Sequence, residues 1–202
     1  MKMLEKIGNL LLLGLKLQTY FLIRTLRGGI ILGIFPAFFD LFRIIGDCAK
    51  QQNADTFSLS QGFKRFERND FRQTNLLGFL FLGICYILSL NLWVSRHYFP
   101  SGLFRIFTWA LLAAVVSIAL YVVPLYLKYE LPLNQYIHQA FLCGVVGIFE
   151  TVAIALGTGL ALGLALRVPF IGLAMGIPLL ILPHAWFSRA AVERFEKRLL
   201  NI

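Results

Sequence analysis

The side chains in this chain with the most chemical potential are ionisable groups set among apolar ones. Arg24 and Arg27 stand three apart, and Asp40 and Arg43 stand three apart a little further on. Glu150 sits alone between apolar runs. Residues three apart on a helix share a face and can meet. An ionisable group at membrane depth is by default a functional candidate, here a gate or a proton site for Asp40 and Arg43. The plainer reading is a local ion pair near the end of a span, and we prefer it. Arg24 and Arg27 could hold an anionic substrate or a phospholipid headgroup. They could equally snorkel, keeping their heads in water while their stems stay in lipid, and this is the preferred reading. Glu150 suits the start of a helix, where the backbone dipole favours negative charge. It would become a candidate proton-coupling group only if its helix began near Tyr136 and buried it.

Reactive constellations are absent from the sequence. It has no GxSxG or HExxH motif, and a hydrolase needs a nucleophile beside its base. His138 and His184 have no second ligand at metal spacing. Cys48, Cys85 and Cys143 are odd in number, with no CxxC pair, which argues against a disulfide or zinc framework. The expectation is a protein that is not an enzyme and has neither cofactor nor metal.

The elements that must carry these residues are apolar. Residues 73–95, 106–127 and 168–188 hold no Asp, Glu, Lys or Arg. About 20 helical residues cross a hydrocarbon core of about 30 Å. Apolar content is 58% and mean hydropathy +0.75, above the roughly 45–50% apolar content of soluble domains. The runs are continuous rather than alternating, so they read as helices and not barrel strands. The fold class is all-α: one polytopic helical membrane domain over residues 1–202, with about five transmembrane helices plus interfacial amphipathic helices. The net charge of +9 orients the chain rather than binding nucleic acid, since no polar domain displays it.

An amphipathic lead-in is expected over 1–17 and a first span over 19–44. There Gly29 and Gly33 form a GxxxG pair suited to helix packing, and Pro36 predicts a kink. Residues 45–73 are the polar segment, with a basic surface helix at 58–72 carrying Lys64, Arg65, Arg68 and Arg72 opposite a stripe of Leu59, Phe63 and Phe66. Further spans are expected over 75–94, 104–127, 151–166 and 170–187. An interfacial helix should precede Phe149, because one helix from Tyr136 to Leu166 would be about 46 Å long, too long for one crossing. A surface helix should follow the last span. Gly159–Gly163 and Gly172–Gly176 are GxxxG pairs in consecutive spans. They either pack the two helices together, the preferred reading, or form a homodimer face.

Counting Lys and Arg puts the 43–73 segment and the C-terminal tail on the cytoplasmic side, which five spans satisfy with the N-terminus outside. Lys2, Lys6 and Lys16 argue mildly for a sixth crossing by residues 7–25.

Four stretches in order resemble the YesL-like proteins, a bacterial family of unknown function. They are GIFPAFFDLFRII (Gly33–Ile45), FKRFERNDFRQTNLLG (Phe63–Gly78), KYELPL (Lys128–Leu133) and HAWFSRAAVERFEKR (His184–Arg198). Asp40 departs from the pattern, which there has a small or apolar residue. The resemblance implies a bacterial cytoplasmic-membrane protein, often encoded near carbohydrate-uptake genes. It supplies no catalytic residues.

Two functional expectations follow. The first is a non-enzymatic accessory or interaction protein of a carbohydrate-uptake system, whose partners are the bilayer and either transporter subunits or further copies of itself. The alternative is a small oligomeric transporter or channel.

Overall fold

The computed structural model describes residues 2–50, 68–98 and 102–200. Among these are seven helices: α1 (Lys2–Arg27), α2 (Ile34–Lys50), α3 (Arg68–His97), α4 (Gly102–Lys128), α5 (Leu133–Val146), α6 (Ile148–Arg167) and α7 (Pro169–Leu200). No strand occurs among the described residues. The protein is a helical membrane protein, and α3, α4, α6 and α7 are each long and apolar enough to cross a bilayer. In α3 the polar side chains Thr74, Asn75 and Ser95 are buried, whereas Leu76, Leu82, Ile87 and Trp93 are exposed. That inversion suits a helix whose solvent is hydrocarbon.

The uninterrupted span expected over 19–44 is corrected: it is two helices joined by a turn at 28–33. The turn is left-handed at Gly29 (φ +81°) and at Ile30 (φ +57°), a conformation that a β-branched residue such as Ile30 rarely adopts. Gly33 closes the turn against α1, where a Cβ would lie 2.1 Å from the Thr25 carbonyl oxygen. Gly29 and Gly33 therefore build a turn and not a helix-packing face. Pro36 falls in the first turn of α2, where its missing N–H is tolerated, so the expected mid-span kink is absent. The lead-in expected to end at 17 instead continues to Arg27. Gly14, Leu17, Tyr20 and Arg24 form its buried stripe, and Lys16 points outward.

α2 lies across one end of the bundle and visits three helices in turn. Phe35 meets Phe79 of α3 edge-on at 5.0 Å, Phe39 meets Tyr126 of α4 at 5.3 Å, and Phe42 meets His184 of α7 at 4.9 Å. Tyr20, Leu41, Phe42, Tyr121 and Val192 are among the buried side chains at the centre of the core.

The helix expected before Phe149 is α5, and it ends at Val146. At the junction with α6, the Gly147 carbonyl accepts from Tyr121 Oη at 2.8 Å and from Thr151 Oγ1 at 3.0 Å. The α4–α5 connection is tied by Tyr136, whose hydroxyl donates to the Tyr129 carbonyl at 2.5 Å and accepts from Leu131 N–H at 2.9 Å.

α6 and α7 form a close antiparallel pair. The contact glycines are Gly157, against Pro183, and Gly172, against Ala165. Gly159, Gly163 and Gly176 have no such neighbour within 4 Å of a built Cβ, so packing inside the subunit does not use the Gly159–Gly163 pair. α7 departs from helical geometry at Met175 (φ −149°, ψ 23°), three residues before Pro178, which lacks an N–H and crowds the preceding turn.

Candidate functional site

Most of the described charged side chains gather at the end of the bundle that α2 crosses, while Arg96, Arg105 and Arg167 lie at the α3–α4 and α6–α7 turns. Tyr126 Oη donates to Gln73 Oε1 at 3.2 Å, bringing the start of α3 to the end of α4. Lys128 Nζ lies 2.5 Å from Glu196 Oε2, joining the end of α4 to the last turns of α7.

At the centre is a buried cluster that closes the α1–α2 hairpin. Arg24 Nε donates to Asp40 Oδ2 at 2.8 Å, and Arg43 Nη2 donates to Asp40 Oδ1 at 2.9 Å. Side-chain exposure is 9% for Arg24, 13% for Asp40 and 26% for Arg43. The fully buried Tyr20 adds a hydrogen bond to the Asp40 carboxylate. Asp40 thus accepts from three directions. Its departure from the family pattern has a physical partner in Arg24, whose buried guanidinium needs a carboxylate to offset its lost hydration.

The sequence put Arg24 and Arg27 on one face, but the structure separates them. Arg24 turns inward to Asp40, so the snorkelling expected of it is corrected, and Arg27 remains exposed. The Asp40–Arg43 pair is present at its i,i+3 spacing.

Glu150 belongs to a second, separate site. It is 5% exposed at the start of α6, and its Oε1 lies 2.5 Å from Arg194 Nη1. Its Oε2 is buried without a hydrogen-bond partner among the described residues. The expected benefit of a helix N-terminus is therefore joined by a cross-helix ion pair. His184 is buried: its Nε2 lies 2.7 Å from the Leu120 carbonyl oxygen and its ring lies between Phe38 and Phe42. Among the described residues no cluster of three His, Cys, Asp or Glu side chains could hold a metal. Lys64 and Arg65 lie outside the described residues, Arg68 opens α3, and Arg72 is exposed.

Sequence reasoning missed Gln18 and Arg189. Gln18 Oε1 accepts from the Ile177 N–H at 3.1 Å, a donor released by the break at Met175. A signal was available in Pro178, whose place inside an apolar span announces disturbed backbone pairing next to it. Arg189 packs its guanidinium 5.5 Å from the Phe42 ring centre and donates to the Arg43 carbonyl at 3.4 Å. Its place after the last expected span, where a surface helix is expected, gave no sign of this burial.

Residues 15–92 match a family described as "Protein of unknown function, DUF624", a stretch that contains Tyr20, Arg24, Asp40 and Arg43. The chain is also 32% identical over 160 residues to the uncharacterized protein YesV of Bacillus subtilis (strain 168), covering 76% of this chain and 74% of that protein. The chain belongs to this family. No solved structure matches it. Within this DUF624 chain the matched stretch runs from the second half of α1 through α2 to most of α3, and it carries the buried ionic cluster.

Proposed function

We propose that this protein is a non-enzymatic interaction protein of the bacterial cytoplasmic membrane that holds a further membrane helix against α6. The observation that carries the reading is the Gly159–Gly163 face. Both glycines are exposed, neither has a neighbour where a Cβ would stand, and exposed Leu156, Leu160 and Leu162 surround them. Small residues one turn apart let a second helix approach closely in lipid. The described ionic groups near the bundle end serve to lock helices together, which fits a scaffold.

The YesL-like resemblance makes a carbohydrate-uptake transporter the first partner to examine. The orientation that goes with this reading has the charged end and the C-terminus in the cytoplasm. It is supported by the gathering of Arg43, Arg72, Lys128, Arg189 and Arg194 towards one end.

The test is quantitative mass spectrometry of the tagged protein, purified in mild detergent from native-level expression, beside a Gly159→Leu/Gly163→Leu variant. The expected result is a stoichiometric membrane partner that the variant loses while its melting temperature is kept. A chain that purifies alone and monomeric, before and after the change, would sink the reading. Loss of self-association in the variant would make the partner a second copy.

A second reading, a small oligomeric transporter, is favoured by the helix breaks at Gly147 and Met175 and by buried Glu150, since broken helices and membrane carboxylates line transport sites. Flux of an ion or sugar into proteoliposomes that Glu150→Gln abolishes would establish it. Absence of flux would remove it.

A further inference from the structure

Two cavities of opposite character meet at the charged end of the bundle. The larger, about 530 Å³, is an open-sided groove between α1, the end of α2 and α7. Its walls are apolar, formed by Leu13, Leu17, Ile45, Met175, Leu179 and Leu182 among others, and Trp186 stands exposed beside it. The smaller, about 200 Å³, is the more polar of the two: Arg43, Asp47, Lys128, Arg189 and Glu193 line it together with the apolar Pro124, Leu127 and Val192. Arg189 and Glu193 belong to both linings, so the two spaces adjoin on either side of these side chains. The volume of the groove lies within the roughly 300–1,000 Å³ of small-molecule sites. In a bilayer the apolar matter at hand to fill an open-sided groove is an acyl chain.

The charges identify what should stand above that chain. Two of the three cations are already engaged: Arg43 with Asp40 and Lys128 with Glu196. Arg189 is half-buried over the Phe42 ring, and among the described residues it has no ion pair and one long hydrogen bond, at 3.4 Å, to a backbone carbonyl. A guanidinium so placed presents a fork that matches phosphate. Asp47 and Glu193 are exposed and line the same polar cavity, which provides carboxylates for a cationic group a few ångströms beyond the phosphate. A purely anionic headgroup would meet those two carboxylates unfavourably.

We propose that this pair of cavities is a binding site for one phospholipid with a primary-amine headgroup, of the phosphatidylethanolamine type. One acyl chain lies in the groove, the phosphate rests on Arg189, and the ammonium is received by Asp47 and Glu193. Trp186 is placed to sit at the lipid's interfacial depth, where the amphipathic indole ring is favoured.

Native mass spectrometry of the detergent-purified full chain tests this, with phosphatidylethanolamine, phosphatidylcholine and phosphatidylglycerol added separately. The expected result is one retained phosphatidylethanolamine per chain, held at least tenfold more strongly than phosphatidylglycerol or phosphatidylcholine, whose quaternary ammonium has no N–H to give Asp47 and Glu193. Equal retention of phosphatidylcholine would overturn the primary-amine assignment. Retention should fall about tenfold in Arg189→Gln and in Leu179→Trp, which fills the groove. A second reading needs no variant. Cys48 is a free, half-buried thiol lining the groove, so its alkylation should slow when phosphatidylethanolamine is added and not when phosphatidylglycerol is. Equal retention of all three lipids, unaffected by either substitution, would mean ordinary surrounding lipid and overturn the proposal. A preference for phosphatidylglycerol, or protection of Cys48 by it alone, would overturn it as well, since the carboxylates would then play no part.

Discussion

The α1–α2 hairpin is closed by charge: Arg24 on one arm meets Asp40 on the other, with Arg43 and Tyr20 completing the contact. The α6–α7 hairpin is closed mainly by shape, with Gly157 giving way to Pro183 and Gly172 to Ala165. A buried ion pair depends on both members being present, whereas a close backbone contact depends on nothing being added. The two hairpins should therefore fail under opposite kinds of substitution.

The largest effect is expected at Asp40. Asp40→Ala leaves the buried Arg24 guanidinium facing Arg43 without the shared carboxylate, and should cost about 3–5 kcal/mol. Unfolding in mixed micelles measures it. The double change Arg24→Leu/Asp40→Leu should recover most of that loss, because apolar replacement of a buried pair is often neutral. A double variant as unstable as the single would mean that the cluster holds the hairpin by more than charge balance.

The complementary change adds volume in the second hairpin. Gly157→Ala puts a Cβ 2.8 Å from Pro183 Cβ and should cost about 1–3 kcal/mol. Gly159→Ala, two residues on, meets nothing within 4 Å and should stabilise α6 by about 0.5–1 kcal/mol through helix propensity. Equal effects at the two positions in the same micelle assay would contradict the packing described.

How much of this was legible in the sequence divides along the same line. The charge-free runs marked the long apolar helices because length and hydropathy decide whether a segment can cross a bilayer. The Asp40–Arg43 pair was legible because a helix brings i and i+3 together. Arg24–Asp40 was not, since it depends on a turn that Gly29 and Ile30 create, and the apolar string GGIILG reads as more helix. Gly159–Gly163 and Gly29–Gly33 share a spacing, yet one is an open helix face and the other a turn. Spacing carries no information about which neighbour arrives.

Two further effects sharpen the comparison at the points where each hairpin meets the rest of the molecule. Gln18→Leu removes the acceptor for the Ile177 N–H and leaves that donor unsatisfied, which should cost about 1–3 kcal/mol. Hydrogen exchange at Ile177 should quicken while α2 is unchanged. Ile30→Gly relieves a left-handed β-branched residue at an exposed turn. The gain should be no more than about 1 kcal/mol, since that strain is about 1–2 kcal/mol and glycine's added chain entropy offsets part of it. A thermal melt that falls instead would place the value of Ile30 in its apolar surface rather than in the backbone.

The Gln18–Ile177 hydrogen bond also bears on how the chain is made. Its two residues are 159 positions apart. At roughly 5–20 residues per second, the ribosome needs about 8–30 s to travel between them. Throughout that interval α1 lacks the helix that Gly14, Leu17 and Gln18 are shaped to meet. A helix made long before its partner is thus seated late, and the insertion machinery or the surrounding lipid must hold α1 until α7 arrives.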